Sequence, residues 1–153
     1  MLHRLYCHIV WTTRDRAPLI DVGLARFLMT FLRGVARQER AHVLELGMVR
    51  THVHLLCRVH PTTDLSRLLQ RLKGGSAAVA GKERRSSEGT HLRWAKGYSI
   101  RSVGPRNLAT VREYLRQQPV RHPAEVISGW PGDQSEYEVS GNDEWRSELR
   151  KRI

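Results

Sequence analysis

Apolar and polar positions alternate from Leu5 to Thr13. Leu5, Cys7, Ile9 and Trp11 fall on one face, Tyr6, His8, Val10 and Thr12 on the other. A period of two predicts a half-buried β-strand. After a loop containing Pro18 the period lengthens. Leu24, Phe27, Leu28, Phe31, Leu32 and Val35 fall at i, i+3, i+4, i+7, i+8 and i+11, one buried stripe of an amphipathic helix, with Asp21 placed as its N-cap. Arg26, Arg33, Arg37 and Arg40 are expected on its solvated face. His42 to Val49 reads as a second strand and His52 to Val59 as a third. Arg50-Thr51 between them is a two-residue hairpin turn, which sets Val49 opposite His52, Gly47 opposite His54 and Glu45 opposite Leu56. Gly47 is expected to leave open space beside the histidines.

Beyond the turn at Pro61–Asp64, Leu65, Leu68, Leu69 and Leu72 predict a second helix. Gly74-Gly75 is expected to interrupt it, with a weaker helical continuation from Ser76 to Gly81. Lys82 to Gly89 is polar and expected to be a mobile loop. Tyr98 to Val103 is a fourth strand, ended by Gly104-Pro105. Asn107 is placed as the cap of a last helix that runs through Leu108, Val111, Tyr114, Leu115 and Gln118 to about Pro119. The first six elements follow the order β-α-β-β-α-β. This predicts an α+β fold, a ferredoxin-like or RRM-like antiparallel sheet with helices on one face and an additional C-terminal helix.

Within the third strand, His52 and His54 are two residues apart and share a face, while Val53, Leu55, Cys57 and Val59 point to the core. Two imidazoles side by side can hold one divalent ion; two ordinary surface histidines fit the same pattern. His8 belongs to the same uncovered face. On the last helix Leu108, Val111 and Leu115 make the apolar stripe, and Tyr114 and Gln118, four apart, meet at its edge. They can reach one point beside the core, or be a boundary tyrosine and a surface glutamine.

Charge narrows the choice of partner. Residues 1–122 hold 22 Lys+Arg against 8 Asp+Glu, whereas residues 123–153 hold 4 against 7. The positive field of the main body points to nucleic acid. The sign change divides the chain into a domain over residues 1–122 and an acidic tail over 123–153, with a short helix expected over Asp143–Arg150. Arg93-Trp94-Ala95-Lys96-Gly97-Tyr98 mixes cations with aromatic rings, which can stack bases and bind phosphates or simply pack. A chain of 153 residues that is 40% apolar is long enough for one real core. No apolar run approaches the roughly 18 residues of a membrane span. With no charged and apolar leader at Met1-Leu2-His3-Arg4, a cytoplasmic location is expected. Cys7 and Cys57 lie in strand-like runs and read as buried thiols outside any zinc or disulfide pattern.

The His-hydrophobic-His strand, Trp94-x-x-Gly97-Tyr98 and Tyr114-x-x-x-Gln118 together resemble the HUH single-tyrosine transposases of small insertion sequences and the related REP-associated tyrosine transposases. The resemblance spans about residues 3–122. Arg112 to His122 is similar to the REP-associated pattern, in which Asn commonly stands at the place of Gln118; Gln there is the habit of the insertion-sequence branch. The resemblance implies a single-stranded DNA nicking and joining enzyme. His52, His54 and Gln118 would hold Mg²⁺ or Mn²⁺, and Tyr114 would be the catalytic nucleophile forming a 5′-phosphotyrosine. It further implies a homodimer acting on hairpin-forming single-stranded DNA at the bacterial nucleoid. Arg14, Arg84, Arg85, Arg93, Trp94, Lys96, Tyr98 and Arg121 are the candidate DNA contacts. Tyr6, Tyr98 and Tyr137 compete with Tyr114 for the nucleophile but lack a potential ligand one helical turn away.

Three other readings stand beside this one. A non-catalytic RRM-like nucleic-acid binder, such as a domesticated transposase or repressor, would bind DNA without metal or covalent adduct. A water-using phosphodiesterase would want Asp and a further His where Leu55-Leu56-Cys57 follows His54. A replication or conjugation nickase would carry a helicase or a second tyrosine motif.

Overall fold

The computed structural model describes residues 3–132, so the acidic segment with Tyr137 and the Asp143–Arg150 helix lies outside the described residues. Strand β1 (Leu5–Thr12), helix α1 (Val22–Gln38), strands β2 (Ala41–Val49) and β3 (His52–Val59), helices α2 (Leu65–Gln70) and α3 (Ser76–Lys82) and strand β4 (Ser99–Val103) complete the β-α-β-β-α-β core. Helix α4 (Leu108–Arg116) and the short α5 (Gln118–Arg121) follow. The strands lie in the order β2-β3-β1-β4, and every pairing is antiparallel. This is the ferredoxin-like α+β arrangement expected from the pattern. Among the described residues no helix is long and apolar enough to cross a membrane.

The alternating strand residues sort as their period requires. Cys7, Ile9, Trp11, Val53, Leu55, Cys57, Leu46 and Met48 meet Leu24, Leu28, Leu32, Leu68, Leu69 and Leu72 of the helices in the main core. Both cysteines are free and buried. The β2–β3 register pairs Val49 with His52, Gly47 with His54 and Glu45 with Leu56, as the two-residue turn predicts. A bulge between Val43 and Glu45 adds Leu44, and both Leu44 and Glu45 then serve the opposite face of the sheet. Asp21 and Asp64 cap α1 and α2, accepting from the backbone N–H of Leu24 and of Arg67.

Four expectations are corrected. Gly74-Gly75 does not interrupt the second helix. Residues Arg71–Gly75 form a π-helical turn that carries α2 into α3, and Gly75 lets the ring of Phe31 approach, where a Cβ would lie 3.2 Å from it. Arg33 is not on the solvated face, because it is buried and its Nη1 donates to the Val43 carbonyl at 3.0 Å. The Lys82–Gly89 loop is anchored. Its Ser86 hydroxyl and the N–H groups of Ser87 and Glu88 bond the Asp21 carboxylate, and Glu88 pairs with Arg50 at 2.9 Å. Finally, the last helix breaks at Gln117, and Gln118 opens the separate turn α5. The packed body also extends past residue 122: Ile127 is buried in the main core and Trp130 packs against it.

Candidate active site

The face of the sheet away from α1 carries Tyr6, His8, Val10 and Thr12 from β1 and His52, His54 and Leu56 from β3. Helix α4 lies over it. Its apolar stripe puts Leu115 into a second, smaller core with Tyr6, Leu44, Leu56 and Val103, flanked by Leu108 and Val111. Two further features hold α4 down. The buried Glu45 carboxylate accepts from Arg112 Nε at 3.3 Å and Arg116 Nε at 3.0 Å. Gly47 admits the helix backbone, for a Cβ there would lie 2.4 Å from the Leu115 carbonyl oxygen and 3.3 Å from Gln118 Cγ. The space expected beside Gly47 is therefore filled by the end of α4, a segment some 70 residues away in sequence.

This packing brings five of the sequence candidates together. His52 and His54 are buried, their ring centroids 5.0 Å apart. Gln118 is fully buried, with Oε1 3.2 Å from His52 Nε2 and its amide Nε2 donating to the Tyr114 carbonyl at 3.2 Å. The half-buried Tyr114 ring lies 5.6 Å from His54 and 6.1 Å from His8. Arg121 sits over the Tyr114 ring at 4.7 Å, a cation–π contact.

Three residues complete the cluster that the sequence candidates did not include. His8 Nε2 is 2.9 Å from His54 Nδ1. The His122 ring stands 5.0 Å from His52. Thr51 Oγ1 lies 2.9 Å from His52 Nδ1. Strand alternation already placed His8 on this face; nothing local in the sequence marks the other two.

The electrostatics favour neutral imidazoles. Burial, reinforced by the neighbouring His52, His8 and His122, pushes His54 down to about 3. His52 is lowered chiefly by burial, and His8 by burial and then by Arg101, its cross-strand neighbour. Neutral rings offer lone pairs, as metal ligation requires. Among the described residues no group of three or more His, Cys, Asp and Glu side chains is arranged to hold a metal. The donor set here is two imidazoles and one amide. It fits a divalent ion because the rings are uncharged and the amide oxygen is turned toward them by the bond to Tyr114.

The candidate DNA contacts divide. Arg14 and Arg93 are exposed and adjacent where β1 ends, the Arg14 N–H donating to the Arg93 carbonyl at 2.9 Å, and exposed Lys96 follows in the same connection. Tyr98 and Arg121 are exposed. Arg84 and Arg85 are exposed in the anchored loop, where Arg85 pairs with Glu83 and leans over Phe27, on the helix-covered side of the sheet. Trp94 is engaged in packing: its ring meets Trp11 edge-on at 5.7 Å, and its Nε1 donates to Ser76 Oγ.

A ferredoxin-like sheet with paired histidines on one strand, closed over by a helix bearing tyrosine and a nearby amide, defines the architectural class of this protein. The family model described as "Transposase IS200 like" matches residues 1–118, and the chain belongs to that family of transposases. It is 26% identical over 120 residues to the ISDra2 transposase TnpA of Deinococcus radiodurans, covering 76% of this chain and 86% of that one. It is 24% identical over 114 residues to the transposase of insertion sequence element IS200 from Salmonella typhimurium, covering 72% and 74%. Among solved structures, a REP-associated tyrosine transposase bound to a REP hairpin superposes with a TM-score of 0.65 at 15% identity, over 86% of this chain and 76% of that one. A Deinococcus radiodurans protein described as a candidate transposase superposes with a TM-score of 0.59 at 24% identity, over 77% and 93%. These two likenesses concern the fold.

Proposed function

We propose that this transposase cuts and rejoins single-stranded DNA near hairpins, with Tyr114 as its nucleophile. The observation that carries the reading is the convergence of Tyr114 and Gln118, from the end of α4 and the start of α5, on the His52–His54 pair of β3. His52, His54 and Gln118 would hold Mg²⁺ or Mn²⁺, which when bound polarises the scissile phosphate. The Tyr114 oxygen bonds to phosphorus as the bond to the 3′ oxygen breaks, and the phenolic proton ends on the released 3′-hydroxyl. The 5′-phosphotyrosine conserves the bond energy, so the 3′-hydroxyl of another DNA end can displace the tyrosine without ATP. Arg121 places positive charge beside the tyrosine, and Arg14, Arg93 and Lys96 offer an exposed cationic track for the strand. The relative solved with a REP hairpin supports a folded single strand as substrate. A homodimer on nucleoid DNA belongs to the same reading.

A covalent-adduct assay tests it. The protein is incubated with Mn²⁺ and 3′-labelled hairpin DNA taken from sequence flanking the gene, then run on a denaturing gel. The expected result is a shifted band that disappears with Tyr114→Phe, with His54→Ala and with EDTA. Cleavage that survives Tyr114→Phe would make water the nucleophile and overturn the assignment.

A further inference from the structure

Glu125 lies beyond the 118 residues matched by the family model, in the 3₁₀ turn Pro123–Glu125, yet it reaches back to the start of β3. Its carbonyl oxygen accepts the Arg50 N–H at 2.8 Å, and its Oε1 accepts from Thr51 Oγ1 at 3.0 Å. Thr51 is buried and has one hydroxyl proton. A carboxylate only accepts, so that proton goes to Glu125. The hydroxyl oxygen, 2.9 Å from His52 Nδ1, is then left to accept Nδ1–H. The neutral ring consequently carries its proton on Nδ1 and a bare lone pair on Nε2.

That lone pair faces Gln118 Oε1 at 3.2 Å. The amide does not turn over to donate, because turning it would set Oε1 against the Tyr114 carbonyl oxygen to which Nε2 now donates. Two acceptors are thus aimed at one point, an arrangement that a shared cation relieves. At His54 the Nδ1 is occupied by His8 Nε2 at 2.9 Å, and its own Nε2 is left for a ligand in the tautomer in which His8 Nε2 accepts.

We propose that Glu125, acting through Thr51, is a positioning residue that holds His52 in the Nδ1–H tautomer and turns Nε2 toward Gln118. Metal-binding His side chains commonly have their second nitrogen fixed in this way, and loss of the partner typically weakens metal binding about 10- to 100-fold. The purpose of the lock rests on the reading of His52 as a metal ligand; the tautomer itself does not.

The test uses the full chain, ¹⁵N-labelled at histidine and stripped of metal with EDTA. Long-range ¹H–¹⁵N spectra report which ring nitrogen is protonated, with His52 assigned from its loss in His52→Gln. The expected result is an Nδ1–H tautomer in the parent and in Thr51→Ser. In Thr51→Val and Glu125→Ala the ring is expected to switch to the Nε2–H form, donating to Gln118. Calorimetric titration with Mn²⁺ should show affinity falling about 10- to 100-fold in the two disruptive variants and restored in Thr51→Ser. Glu125 is partly exposed, so Glu125→Ala carries the test if Thr51→Val does not fold. An Nε2–H tautomer in the parent, or one unchanged by both disruptive variants, would overturn the proposal while Mn²⁺ binding still upheld the metal site. The expected tautomers with no Mn²⁺ binding would sustain the lock and sink the metal reading instead.

Discussion

On one face of the sheet, Ile9, Trp11, Leu46, Met48, Val53 and Leu55 meet α1 and the continuous α2–α3 helix in a broad apolar layer. On the other, α4 rests on a patch of Tyr6, Leu44, Leu56 and Val103, with His8, His52, His54 and Glu45 on the same side. The first face is held by buried area, which tolerates small shifts. The second is held by one glycine, one doubly paired carboxylate and the short stripe of Leu115 with Leu108 and Val111, and the groups read as catalytic are assembled only when α4 is seated. Stability and site geometry should therefore separate by mutation: damage to the first face lowers the melting temperature, and damage to the second disorders the site in a protein that remains folded.

The largest expected effect on stability lies on the first face. Leu28 is fully buried in the main core, and Leu28→Ala should cost about 2–5 kcal/mol through lost transfer energy and a residual cavity. Urea unfolding measures the loss. Adduct formation per folded molecule should stay near the parent value; a loss of activity larger than the unfolded fraction explains would mean that the two faces are mechanically coupled.

Gly47→Ala attacks the second face. A Cβ 2.4 Å from the Leu115 carbonyl requires α4 to lift, moving Tyr114 and Gln118 away from the histidines. A displacement of about 1 Å can lower a rate roughly 10²-fold. The adduct yield should fall by that order, with a smaller change in unfolding free energy than Leu28→Ala produces. Retained activity would show that α4 does not need this seat.

These two residues also mark what the sequence made legible. Leu28 belongs to a repeating stripe, and a period persists whatever packs against it, so α1, the strands and the sheet faces could all be read. The two-residue turn at Arg50-Thr51 was enough to set the β2–β3 register. Gly47 was placed opposite His54, but what fills its space comes from α4, and no local pattern reports a contact across that distance. Arg33 looks solvated by spacing; its burial follows from the β2 carbonyl that α1 brings to it. The Lys82–Gly89 loop reads as polar and mobile, yet its hydroxyl and amides find the one carboxylate that also caps α1. Tyr114 and Gln118 could be paired through the helical repeat, although the helix breaks between them, because the amide still bonds the Tyr114 carbonyl. Thr51 and Glu125 carried no periodic signal at all.

Glu45→Gln tests the clamp that holds α4 on the second face. The carboxylate is buried, whereas Arg112 is largely covered and Arg116 half exposed. Charge-assisted bonds of this kind contribute about 1.5–3 kcal/mol each when buried, and water screens the more exposed Arg116. A loss of about 1.5 kcal/mol is expected, confined to α4. Hydrogen exchange should show faster exchange in Leu108–Arg116 with α1 unchanged. Uniform acceleration across both helices would make Glu45 part of the global fold.

The smallest effect is conditional on acid and belongs to the first face. Burial alone would raise the Asp21 carboxyl, but hydrogen bonds from Ser86, Leu24, Glu88 and Ser87 prevail and hold it down to about 2, from an ordinary value of 3.8. A carboxyl with a depressed folded-state pKa contributes stability that is complete above its unfolded value and is lost as pH falls through the folded one. The contribution should therefore disappear between about pH 4 and pH 2. Because Asp21 both caps α1 and anchors the 86–90 loop, protonation should release the loop and fray the first turn of α1. Asp21→Asn should flatten the pH dependence of stability in that window and leave α4 protection unchanged. An identical acid profile in parent and variant would mean that the loop is held by Arg50–Glu88 instead, and that Asp21 serves α1 alone.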